Sequence, residues 1–200
     1  MARCAAMSGT FLWYATRGAG LVSLVLFTAV VCLGILTVGR WGRPGWPRFL
    51  TAEFHRNLAL LALAFLAIHI LVAVFDPFTS LGLTAALVPF SSPYRQFWLG
   101  LGVVALYLIV AIVATSLLRT HLGHRTWRAI HWLSYAAWPI AVVHGLGTGS
   151  DTGALWAWLL NGACVVAVGG AIAWRIEAAS AARAQIEGAL PAATRRDRPR

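Results

Sequence analysis

Apolar residues run through this chain in five long blocks, separated by short segments that hold nearly all of its charge. From Thr10 to Val38 the chain is apolar except for Arg17, and Gly18 to Val38 alone supplies the roughly 20 residues that cross about 30 Å of hydrocarbon. A secretory signal has a shorter apolar region with its positive charges in front. Here Arg40, Arg43 and Arg48 follow the block instead, which predicts an uncleaved first helix. The second block runs from about Ala52 to Phe75 and stops at Asp76-Pro77, where proline restricts the residue before it. The third spans about Phe97 to Leu118, the fourth Trp127 to Leu146, and the fifth Ala154 to Trp174.

The segments between the blocks read differently. Gly39 to Pro47 (GRWGRPGWP) is a turn-forming loop. Phe78 to Gln96 holds Pro89, Pro93 and several hydroxyl residues, is too broken to span, and predicts an outer loop with a short interfacial helix. After the fourth block comes GTGSDTG, where Asp151 or Thr152 can cap the next helix. The tail from Arg175 is polar and rich in Ala and Arg, predicted helical at first and disordered around Pro191 and Pro199. The expected architecture is an all-α membrane protein, a bundle of about five transmembrane helices. A short segment (1–9) precedes one helical domain (10–176), and an Arg-rich tail (177–200) follows it.

Composition sharpens this picture. Of 200 residues, 60% are hydrophobic and 11% charged, which excludes a soluble domain beside the spans. All sixteen basic residues are arginines against six acids, and they gather in a few segments, so the net charge of +10 reads as topology and lipid contact, with no nucleic-acid partner. Arginines concentrate between blocks one and two, between three and four, and in the tail. That bias predicts an N-terminus outside and a C-terminus in the cytoplasm of a bacterial-type plasma membrane. The ten tryptophans lie mostly at span ends and read as an interfacial belt. Cys4, Cys32 and Cys164 are far apart with no C-x-x-C, which offers no zinc site, no iron–sulfur cluster and no covalent c-type haem.

Four histidines carry the candidate chemistry. His55 and His69 lie fourteen residues apart in block two, and His131 and His144 thirteen apart in block four. At about 1.5 Å per residue these steps are about 21 Å and 19.5 Å, so the two ladders match in depth, with His55 and His131 inner and His69 and His144 outer. An imidazole within hydrocarbon needs a partner, and ionisable residues there mark function. Imidazole is the usual axial ligand of b-type haem, and two facing helices can clamp a porphyrin between them. Two haems at these depths leave ring edges roughly 10 Å apart, a gap short enough for electron tunnelling. One feature opposes the simple arrangement: at 100° per residue, His144 points about 220° away from His131 on an ideal helix. Pro139 between them predicts a kink at Tyr135 that could reconcile the two directions. Arg56, Arg125 and Arg128 beside the inner pair, and Arg95 near the outer pair, are candidates to hold haem propionates or are simple interfacial anchors. His121 and His124 fall in a charged loop and read as solvated.

The paired histidine spacings, with WRAIHWLSY followed by HGLGTG, resemble the ferric reductase-like transmembrane domain family over about residues 50 to 175. The resemblance implies a di-haem b-type cytochrome, with His55 paired to His131 and His69 to His144, that moves single electrons across the membrane as a subunit of an oxidoreductase system. Larger members carry six helices and a flavin and nicotinamide domain, whereas the tail of about 25 residues here leaves room for neither, so no flavin or NAD(P)H is expected on this chain. The donor is then a separate flavoprotein or quinol. Short bacterial relatives, which include the haem-binding membrane subunit of a methionine sulfoxide reductase, imply an extracytoplasmic redox partner. Two other classes stay open at this stage, a small transporter or channel subunit and a cofactor-free assembly protein with structural histidines. Against the first, all six acids (Glu53, Asp76, Asp151, Glu177, Glu187, Asp197) fall at span ends or in the tail, not at mid-depth.

Overall fold

The computed structural model describes residues 2–38, 48–76, 81–149, 151 and 153–189, with the side chains of 2–10, 38, 48 and 189 left aside. Seven helices account for most of them: α1 (Ala2–Val38), α2 (Arg48–Phe75), α3 (Gly82–Leu87), α4 (Gln96–Leu117), α5 (His124–His131), α6 (Ser134–Thr148) and α7 (Leu155–Ala189). Among the described residues four stretches are long and apolar enough to cross a membrane: Phe11–Thr37, Phe49–Phe75, Gln96–Leu117 and Leu155–Gly188. The protein is an all-α integral membrane protein. The predicted loop over residues 39–47, Thr152, and the end of the tail lie outside the described residues. The short helix expected before block three is α3, and α7 carries the last span well into the tail.

Block four differs from expectation. It forms two helices rather than one, with a turn at Trp132 and Leu133, and Pro139 sits inside α6 without ending it. The turn is wound by tight bonds, Leu133 N–H to the Ile130 carbonyl, Tyr135 to Trp132 and Ala136 to Leu133, each reaching back three residues. Winding at 3.0 instead of 3.6 residues per turn advances each residue by about 20° more. The extra rotation moves His144 towards the side that His131 faces, so the correction of direction lies at Trp132–Leu133, upstream of the predicted kink at Tyr135.

Packing sets the positions of the helices. α1 packs along α2 and also touches α6 and α7, while α4 packs along α6 and α5. α2 has no comparable packing against α5 or α6. The helices that carry the four imidazoles thus face each other across a space bounded by α1 on one side and α4 on the other. Small residues make the close approaches possible, with Ala19, Ala62, Ala105, Ala137 and Ala157 all buried. A core of Leu24, Val142 and Cys164, covered by Trp138 and Leu146, joins α1, α6 and α7 between the two histidine levels. Trp138 donates its indole N–H to the Thr28 hydroxyl at 3.0 Å, which pins α6 to α1. Elsewhere large apolar side chains such as Phe54, Leu71 and Val166 are exposed, as lipid contact requires.

Candidate functional site: two facing histidine pairs

The four imidazoles meet in two pairs. The rings of His55 and His131 have centroids 6.3 Å apart with planes inclined at 59°, and those of His69 and His144 are 6.5 Å apart at 79°. Neither pair is stacked. Two imidazoles bound through Nε2 to opposite sides of one metal ion, at about 2.0 Å each, put their ring centres roughly 6.3 Å apart. Both pairs sit at that separation.

The free nitrogen is the right one. His69 donates its Nδ1–H to the Thr16 carbonyl at 2.8 Å, His55 to Val30 at 3.0 Å and His144 to Trp98 at 2.8 Å. A carbonyl can only accept, so each bond fixes the proton on Nδ1 and leaves the Nε2 lone pair available, the usual arrangement for a metal-bound histidine. A glycine four residues beyond each carbonyl makes the approach possible. A Cβ built on Gly20 would lie 3.0 Å from the His69 ring, on Gly34 3.4 Å from His55, and on Gly102 2.5 Å from His144. Sequence reasoning missed this device, although Gly20 and Gly34 repeat on α1 the fourteen-residue step of His55 and His69 on α2.

His131 is held otherwise. Its Nδ1 is buried and has no hydrogen-bond partner among the described residues. Trp127, one turn earlier, stacks on it with centroids 5.2 Å apart and planes 28° apart, and the Trp127 indole N–H reaches the Ser116 hydroxyl at 3.4 Å.

A cavity of about 290 Å³ opens beside His69 and His144, with a largely apolar wall. Its polar lining includes Arg17, Asp151, Thr16, Asn161, Tyr94 and Asp76. Arg17 forms an ion pair with Asp151 and lies over the Trp13 ring, 4.5 Å from its centre. Asp151 was expected as a possible helix cap, but its carboxylate goes to Arg17. Thr16 Oγ1 and Asn161 Oδ1 are buried without a hydrogen-bond partner in the described structure. Arg17 was visible as the lone charge of an apolar block, yet sequence reasoning gave it no role. Arg95, the expected cation at this level, is exposed and donates to the Gly147 carbonyl at 2.5 Å. Arg56 pairs with Glu53 at 2.9 Å, and Arg125 in the first turn of α5 and Arg128 in its last turn are exposed. Asp76, at the end of α2, is only 2% exposed.

The donor set limits what can bind. Among the described residues no group of three or more His, Cys, Asp or Glu side chains comes together to hold a metal ion. Two imidazoles are too few for a protein-only zinc site, which uses three or four ligands. They suit a metal that brings four in-plane nitrogens of its own, such as the iron of a haem. The two ring separations, the Nε2 atoms left free on His55, His69 and His144, and the cavity beside His69 and His144 fit such a group.

A family model described as ferric reductase like transmembrane component matches residues 19–142. The matched stretch takes in Gly20, Gly34, His55, His69, Gly102 and His131, and ends two residues before His144. No curated protein and no solved structure gives a significant match.

Proposed function

The chain belongs to the family of ferric reductase like transmembrane components, and from that premise we propose that it moves electrons across the membrane through two b-type haems. His55 and His131 hold one, and His69 and His144 hold the other. The observation that carries this reading is the facing of both histidine pairs at ring separations of 6.3 and 6.5 Å. When bound, each haem supplies a one-electron ferric/ferrous couple. The residues of the chain do the rest. The carbonyls of Thr16, Val30 and Trp98 orient three rings with Nε2 presented to the gap, and apolar side chains keep water from the site, which favours electron exchange with little solvent rearrangement. Arg17 lines the cavity at the His69/His144 level and is the side chain that would hold a propionate there, with Arg125 and Arg128 serving the other level.

In this reading the N-terminus is outside and the C-terminus cytoplasmic. The donor is a separate flavoprotein or a quinol, and an extracytoplasmic redox protein is the partner at the other end. Haem counting by pyridine haemochrome tests the central point, with two haems per chain expected in the wild type. His131→Leu should leave one, with the His69/His144 haem still showing a reduced-minus-oxidised spectrum. A protein purified from haem-sufficient cells with none would overturn the reading.

A further inference from the structure

Three imidazoles are held by one device and the fourth is not. On α4, a fourteen-residue step from Trp98 and Gly102 leads to Ile112 and Ser116. Where a carbonyl and a glycine would hold His131 as they hold His144, the chain has a serine. Its hydroxyl accepts from Trp127, whose indole stacks on His131, and His131 Nδ1 has no hydrogen-bond acceptor among the described residues. An aromatic face therefore positions this ring.

The difference has an electronic consequence. A carbonyl accepting from Nδ1–H makes imidazole a stronger electron donor, which stabilises ferric over ferrous iron. Both ligands at the His69/His144 level have such a carbonyl, and only His55 has one at the other level. Charge acts in the same sense. Arg125 and Arg128 lie within two turns of His131, whereas Arg17 at the other level is matched by Asp151.

Resting on the di-haem reading above, we infer that the two centres are unequal, that the iron held by His55 and His131 is the easier to reduce, and that Trp127 is the positioning residue responsible. In the singly reduced protein one electron leaves the iron at the His69/His144 level, which becomes ferric, and enters the iron at the His55/His131 level, which becomes ferrous. No atom or proton is transferred. The expected bias is at least tenfold in the exchange equilibrium, or 59 mV for a one-electron couple.

Potentiometric titration of the purified, haem-loaded protein, followed in the visible haem bands, tests this. The wild type should titrate in two resolved steps, and His69→Leu should retain the higher one. Ser116→Gly opens the space beside the Ile112 carbonyl and should lower the higher step towards the other. Trp127→Phe keeps a stacking ring but loses the tie to Ser116, and should shift the higher step while leaving the lower unchanged. A single wild-type step, a His69→Leu haem that titrates at the lower step, or a Trp127→Phe variant whose higher step stays where it was would each overturn the inference. Should Ser116→Gly not accumulate, His69→Leu and Trp127→Phe still decide. Haem content separates the two levels of failure. No haem removes the proposed function itself, whereas two haems in the reverse order remove this inference alone.

Discussion

Replacing Gly102 by alanine probes whether the glycines beside the histidines are part of the cofactor site. The new methyl carbon would stand 2.5 Å from His144 Cε1 and 2.6 Å from Nδ1. Carbon atoms pack at about 3.5 Å or more, so the ring must withdraw by about 1 Å. Its bond to the Trp98 carbonyl is 2.8 Å long and would stretch beyond useful range. Two penalties follow. A buried N–H loses its acceptor, at a cost of about 1–3 kcal/mol, and the ring loses the orientation that presents Nε2. Loss of such a supporting partner typically weakens metal binding about 10–100-fold. Helix propensity works the other way, since alanine in a helix is favoured over glycine by about 0.5–1 kcal/mol, so a loss cannot come from the backbone.

The same change elsewhere sets a scale. Gly20→Ala brings its methyl to 3.0 Å from His69, and Gly34→Ala to 3.4 Å from His55, already close to ordinary contact. Haem per chain, measured after a common purification with a haem-free competitor such as apomyoglobin present, should fall most for Gly102→Ala, less for Gly20→Ala and least for Gly34→Ala. Equal retention in all three, or greatest loss in Gly34→Ala, would refute the reasoning.

Three further outcomes are expected. Asp151→Asn leaves Arg17 without its carboxylate and should lower thermal stability in detergent, and combining it with Arg17→Gln should recover part of the loss, with a coupling of about 0.5–3 kcal/mol in a double-mutant cycle. Thr28→Val orphans the Trp138 indole N–H and should cost about 1–3 kcal/mol, whereas adding Trp138→Phe removes both partners and should restore most of it, read from the same melting curves. Reporter fusions at the two ends of the chain should be active outside the cell at the N-terminus and in the cytoplasm at the C-terminus, as the arginine distribution requires.

The helices and the histidine pairs were legible because both depend on periodic features of one segment at a time. Apolar block length gives a span, and equal steps on two helices give equal depth. What crosses between segments was not legible. The resemblance read from block two onward left α1 as a mere first span, yet the family match begins at residue 19, and α1 carries two of the three carbonyls that hold the rings. A backbone acceptor has no side-chain signature, and only the glycine beside it leaves a mark in the sequence. The bend in block four was misplaced for a related reason. Pro139 removes a donor, which predicts a local fault, but the turn that redirects His144 is built from backbone bonds at Trp132 and Leu133, which no residue type there announces.

The register of α1 against α2 shows why the fold needs both ladders. Gly20 meets His69 and Gly34 meets His55, so as the residue number falls by fourteen on one helix it rises by fourteen on the other. Two antiparallel helices in continuous contact keep such a register over about 21 Å only if neither gains or loses a residue between the levels. One extra residue turns everything beyond it by about 100° and moves it about 1.5 Å along the axis, enough to take a ring off both its glycine and its carbonyl. The thirteen-residue step on the α5–α6 side carries no such constraint against α1, because the turn at Trp132 and Leu133 absorbs the difference in angle. Depth is therefore set by the pair α1–α2, and the opposite histidines are brought to it by a segment that is locally rewound. The histidine with no carbonyl, His131, is the one that lies immediately before that turn. The level whose ring is held by Trp127 instead of a carbonyl is thus the one beside the rewound turn, where the two ladders would otherwise disagree.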